Sequence, residues 1–114
     1  MGQWSKIVLS GSTNGSAITV ATTNTTVHTA VTGAADSVDE IWLYGHRAGA
    51  DGAVLTINLG TGSFIFTASG LINPRGLHTI LSGAPAVRNG VVITARATSP
   101  GAYVLWGYVN RYAT

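Results

Sequence analysis

Three histidines, His28, His46 and His78, four carboxylates, Asp36, Asp39, Glu40 and Asp51, and many serines are the raw material for acid–base or nucleophilic chemistry in this chain. A Ser–His–Asp relay can be drawn on paper from such a set. The drawing has no support in spacing, because the G-x-S-x-G turn that exposes a serine nucleophile is absent. Asp39 and Glu40 are neighbours in a strand-like run, so they point to opposite faces and cannot flank one glycosidic bond. They read as solvated residues at the start of that strand.

Phosphate and metal chemistry fare no better. The stretch GTGSFI (60–65) begins like a dinucleotide fingerprint but lacks the third glycine and runs into a strand, so no helix N-terminus awaits a phosphate. Lys6 has no glycine loop before it, which excludes a P-loop. His46 with Asp51 is the best pair for a metal, and it lacks a third ligand. Sequons at Asn14 and Asn24, and a myristoylation-like MGQWSK start, are short patterns that a Ser/Thr-rich chain generates by chance. The expectation is no catalytic residue, no cofactor and no metal.

Composition narrows the class. The 114 residues suffice for one core, so a single domain over 1–114 is expected. There is no cysteine to staple it. No apolar run approaches the roughly 18–20 residues of a membrane-spanning helix, and the start lacks the apolar stretch of a signal peptide. Only 9% of residues are charged, against about 25% in ordinary soluble domains. Spread over the roughly 5,900 Å² of a folded monomer this size, ten charges amount to about one per 600 Å². Neutral Ser, Thr and Gly could solvate the rest, or neighbouring subunits could cover it. A net charge of +2 is too small to argue for nucleic acid. The acids cluster between Asp36 and Asp51, whereas residues 52–114 carry only Arg75, Arg88, Arg96 and Arg111 as cations, a sign difference suited to contacts between subunits.

The elements that must position these groups are strands. β-Branched residues dominate the long glycine-free interval 16–32, and no helical periodicity is present. Runs at 3–9, 17–21, 26–31, 39–46, 53–59, 63–68, 77–81, 91–97 and 102–112 predict eight or nine short strands. The expected fold is all-β, an antiparallel sandwich wound as a jelly roll. Asn14-Gly15 predicts a tight hairpin joining the first two runs. Asp51-Gly52 and Gly60-Thr61-Gly62 predict a three-strand meander, Ser99-Pro100-Gly101 a final hairpin, and 69–76 and 82–90 loops that cross between sheets.

Two runs break the alternation of a half-buried strand. In GAYVLWGYVNRY (101–112) one face carries Tyr103, Leu105, Gly107 and Val109, and the other Val104, Trp106, Tyr108 and Tyr112. Ile41, Trp42, Leu43 and Tyr44 are likewise apolar on both faces. Trp42, Tyr44, Trp106 and Tyr108 therefore belong either to the core or to an outward platform. With Tyr112 they are the expected interface anchors, because buried aromatics dominate interface energies. Trp4 would anchor an extended arm on a neighbour, and Arg47 and Arg111 would meet carboxylates.

The ordered elements KIVLSGS, TTVHTA (25–30), DEIWLYGHR (39–47), LTINLG (55–60), GVVITARA (90–97) and GYVNRY (107–112) resemble a family of small virion proteins of tailed bacteriophages. The resemblance implies a non-enzymatic particle component. Its expected role is a capsid decoration or cement protein on the outer surface of the head, made in the host cytoplasm. Its partners would be the major capsid protein and copies of itself, as a dimer or trimer, with no nucleic acid or membrane. The competing expectation is a tail or tail-fibre component that binds host-surface glycans.

Overall fold

The computed structural model describes residues 2–32, 37–47, 54–60, 62–67 and 78–113. Nine strands lie in these segments: β1 (Gln3–Val8), β2 (Ile18–Thr19), β3 (Thr25–Thr29), β4 (Val38–Arg47), β5 (Val54–Leu59), β6 (Gly62–Thr67), β7 (His78–Val87), β8 (Val92–Ala97) and β9 (Tyr103–Ala113). Each expected run overlaps one of them. The fold is all-β, a sandwich of two antiparallel sheets. The first has the order β1-β9-β4-β7, with β2 also on β9, and the second β3-β8-β5-β6.

One core fills the space between the sheets. Ile41, Leu43, Tyr103, Leu105 and Val109 enter it from the first sheet, and Val27, Leu55, Ile57, Ile93 and Ala95 from the second. Along β4 the buried residues are Asp39, Ile41, Leu43 and Gly45, the period-2 pattern of a strand with one face inward. Gly107, on the inner face of β9, lies opposite Leu43, so close to β4 that a methyl group there would collide with the carbonyl oxygen of Trp42.

The connections depart from the hairpins that the turn residues suggest. Asn14 and Gly15 do take φ of 54° and 82°, closed by Ser16 N–H to Thr13 O at 3.0 Å. Yet β1 and β2 do not pair with each other, since both pair with β9. β4 and β5 are in different sheets, so the three-strand meander reduces to one hairpin, β5–β6. Asp51-Gly52 and residues 69–76 lie outside the described residues. The segment 98–102 is a crossing, not a hairpin, because β8 and β9 belong to opposite sheets. It is clasped by Val20 and Ala21, which bond Gly101, Tyr103 and Ala97.

Residues 82–87 are strand rather than loop. β7 is an edge strand with two register shifts against β4, and Gly83 and Pro85 fall within one of them. An edge with a bulge is where a sheet tolerates proline. The crossing that follows is only the turn Arg88–Val91, with Asn89 and Gly90 both at positive φ.

Candidate functional site

Two groups of residues stand out: a buried ionic cluster between the sheets and the aromatic outer face of the first sheet.

The cluster is centred on Asp39. Its position in phase with Ile41 and Leu43 turns the carboxylate inward, where it is 0% exposed, correcting the expectation of a solvated residue. Arg111 is its register partner on β9 and is in phase with the core residue Val109. Arg111 Nε donates to Oδ1 at 2.8 Å and Nη2 to Oδ2 at 2.9 Å, a two-pronged grip. His28 arrives from the other sheet, turned inward beside Val27 by the register shift between Thr26 and His28 on β3. Its Nε2–H donates to Asp39 Oδ2 at 2.7 Å, and Val31 N–H donates to the same oxygen at 3.0 Å. His28 Nδ1 accepts from Ser10 N–H at 3.0 Å, which fixes the neutral tautomer with its proton on Nε2.

Ser10, His28 and Asp39 thus stand in line, but not as a nucleophilic relay. The backbone N–H of Ser10 reaches the imidazole, while its Oγ accepts from Thr29 N–H at 2.7 Å. Both imidazole nitrogens are occupied and His28 is fully buried. The cluster ties β3, β4, β9 and the segment after β1 together. Arg111, expected to meet a partner's carboxylate, has its guanidinium on a carboxylate of its own chain.

Burial lowers the His28 pKa below its ordinary value of 6.5, outweighing the Asp39 hydrogen bond and charge that would raise it. Burial would raise Asp39, but the hydrogen bonds from Arg111 and His28 and their charges hold it below its ordinary 3.8. Both shifts destabilise the fold in acid. Below pH 6.5 the unfolded chain protonates His28 while the folded chain does not, so stability declines as pH falls from there. The Asp39 contribution is complete above pH 3.8 and is lost as pH falls through its lower folded value. Urea melts from pH 8 to pH 3 should show both losses, and His28→Gln should flatten the upper one. An unchanged upper limb in that variant would contradict the assignment.

The second group answers what lies behind the doubly apolar strands. Trp4, Lys6 and Val8 of β1, Val104, Trp106, Tyr108, Asn110 and Tyr112 of β9, and Glu40, Trp42, Tyr44 and His46 of β4 share the outer face of the first sheet. Cross-strand pairs build an aromatic layer on it. Trp4 leans on Tyr112 with ring centres 5.3 Å apart, Trp42 lies nearly parallel to Tyr108 at 6.1 Å, and His46 meets Trp106 at 5.3 Å. Lys6 Nζ sits 4.3 Å above the Tyr108 ring.

The indole of Trp42 also rests on Gly83 in the β7 bulge, where a side chain would press on the ring at 3.0 Å. These residues shield one another, which leaves Trp4 (52%), Val8 (50%) and Trp106 (36%) as the large apolar side chains most open to solvent on this face. Among the described residues the outer face of the second sheet is mostly polar, with Thr26, Thr29, Thr56, Asn58, Thr94 and Arg96 on or near its surface beside Val54 and the exposed Val92.

Six of the expected anchors, Trp4, Trp42, Tyr44, Trp106, Tyr108 and Tyr112, are therefore brought to one face. Trp4 lies in a strand of its own sheet rather than on a free arm. Arg47 ends β4 opposite Tyr103, and its side chain and Asp51, the partner considered for His46 in a metal site, lie outside the described residues. Among the described residues no three His, Cys, Asp or Glu side chains converge as metal ligands. The buried cluster escaped the reading of the sequence, although strand parity carries its signal: Asp39 and Arg111 are each in phase with core residues. Searches of protein families, curated proteins and solved structures find no match to the chain.

Proposed function

We propose that this chain is a non-catalytic structural protein of a tailed-bacteriophage particle, a decoration or cement protein that docks on the outer surface of the capsid lattice and stabilises the head. The phage attribution rests on the resemblance of the short motifs quoted above. The docking mode rests on one observation: the outer face of the first sheet carries an aromatic layer with Lys6 and Glu40 as its described charged residues, whereas the described outer residues of the second sheet are mostly Thr, Asn and Arg, with no aromatic among them and Val54 and Val92 as the apolar ones. An exposed aromatic patch on a soluble domain is suited to meeting another protein. The jelly-roll winding belongs to the same proposal. Apart from β2, the chain changes sheet at every connection except β5–β6, which is how two interleaved Greek keys are wound.

A ligand that binds only the assembled lattice stabilises it by its binding free energy, repeated over every copy. On this reading Trp106 and Trp4 are the contact residues and the half-buried Trp42, Tyr44, Tyr108 and Tyr112 hold them in place. No cofactor, nucleic acid or membrane enters the mechanism.

Mass spectrometry of separated heads and tails tests the location, with the chain expected in abundance on heads. A few copies confined to tails would replace this reading by a tail or fibre role, with the exposed indoles as platforms for host glycans. Trp106→Ala should weaken binding to heads by at least about tenfold, as loss of a central aromatic does. Thr56→Ala on the opposite sheet should leave binding unchanged. Equal binding by both variants would remove the aromatic face from the mechanism.

A further inference from the structure

We infer that β1 is the strand through which two copies of this chain pair, edge to edge and antiparallel, extending the first sheet across a two-fold axis. This inference goes beyond the docking face and does not require the virion role.

A sheet edge presents unpaired N–H and C=O groups, and proteins blunt the edges they do not use. Here two edges are blunted. The β3 edge is covered by the segment after β1, through Gly11 N–H to Val27 O at 3.0 Å and Thr29 N–H to Ser10 Oγ at 2.7 Å. The β7 edge is broken by two register shifts and carries Pro85. Among the described residues the β1 edge is neither covered nor broken, and its one charged side chain is Lys6. Its six residues keep an unbroken register with β9, contain no proline, and have β9 as their ladder partner among the described residues. The strand also contributes little to its own core: Gln3, Trp4, Ser5, Lys6 and Val8 are all exposed, and Ile7 alone packs inward. The remaining edge, β6, adjoins residues 68–77, which lie outside the described residues.

The sequence of β1 also selects a register. Trp4, Lys6 and Val8 face outward, so pairing must set outward residues opposite outward residues, since a one-residue slip inverts every side chain. Placing Ser5 opposite Ser5 of the second copy sets Trp4 against Lys6 of that copy, and Lys6 against its Trp4. The pairing is self-complementary, as a two-fold contact requires, and brings each ammonium beside an indole. A shift of two residues toward the C-terminus would set Lys6 against Lys6, and like charges directly opposite repel. A shift the other way leaves only the first half of the strand paired. In the chosen register the aromatic layers of both copies form one continuous outer face.

Ser5→Cys tests this directly, because the chain has no other thiol. Directly opposed residues of antiparallel strands have Cα atoms about 4.5–5.5 Å apart, within disulfide reach. Under mild oxidation the Ser5→Cys chain should form a covalent dimer at least about tenfold faster than Thr26→Cys, whose thiol sits on the covered β3 edge. The unmodified chain should sediment as a dimer, and Trp4→Lys, at a side chain already half exposed, should weaken the dimer at least about tenfold. Equal crosslinking rates, a monomer up to about 1 mM, or a Trp4→Lys dimer of unchanged affinity would each overturn the pairing. Head binding by Trp106→Ala is read separately, so loss of the docking role and loss of the dimer are distinguishable.

Discussion

Asp39→Ala is expected to lower the unfolding free energy by about 3–5 kcal/mol, the usual cost of removing one partner from a buried ion pair. In a domain of this size that is a fall in Tm of roughly 12–20 °C. Four donors lose their acceptor at once: two N–H groups of Arg111, Nε2–H of His28 and N–H of Val31. His28 and Val31 are buried, so water cannot replace the carboxylate without opening the sandwich. Arg111, at 28% exposure, can turn partly to solvent and accounts for the smaller share.

Asp39→Asn keeps the volume but points an amide N–H₂ at donors, so it should be nearly as damaging. In a double-mutant cycle, Asp39→Asn with Arg111→Leu should cost less than the two single losses added, because the surviving partner is no longer stranded. Strict additivity by urea unfolding would show that the two side chains stabilise the fold independently, contrary to the geometry.

The second large effect is expected at Gly107. Gly107→Ala should cost at least about 3 kcal/mol, the upper end of the range for overpacking. A Cβ there meets the carbonyl oxygen of Trp42, and the next nearest atoms are also β4 backbone, so relief requires the two central strands to part. Gly45 on β4 provides the comparison. A Cβ there would meet Ile80 Cδ1 at 2.7 Å and Leu105 Cδ2 at 2.8 Å, the ends of side chains that can rotate. Gly45→Ala should therefore cost about 1–2 kcal/mol. If chemical unfolding ranked the two variants equally, the close approach of β4 and β9 would not be what Gly107 provides. Gly107→Ala should also disturb the aromatic layer, since Trp42 and Tyr108 flank the contact, and near-ultraviolet circular dichroism would register it.

The two kinds of residue differ in how far the chain sequence reveals them. Trp42, Tyr44, Trp106 and Tyr108 could be assigned to one side of their strands by counting in twos, and the register Trp42↔Tyr108 and Tyr44↔Trp106 unites them as that count expects. The same count, applied to Asp39 and Arg111, places both in phase with core residues. Two opposite charges on an inner face read as an ion pair only once β4 and β9 are known to be neighbours, 72 positions apart in the chain. His28 is harder still, because a register shift puts it inward beside Val27, and no alternation shows that.

The sequence by itself determined the all-β character, the approximate positions of eight or nine strands and the side of each strand that Ile41, Leu43, Leu105 and Val109 occupy, because backbone preference and side-chain parity are local properties. Asn14-Gly15 and Asn89-Gly90 likewise set positive φ locally. Neither turn joins paired strands, since a turn fixes a few dihedral angles but not which sheet receives the strand that follows. Only the tertiary structure decided that β8 and β9 part to opposite sheets, that Asp39 gathers Arg111 and His28 from both, and that β1 has β9 as its one strand partner among the described residues. Those outcomes depend on which apolar faces close over one core, a choice made by contacts between residues distant in the chain.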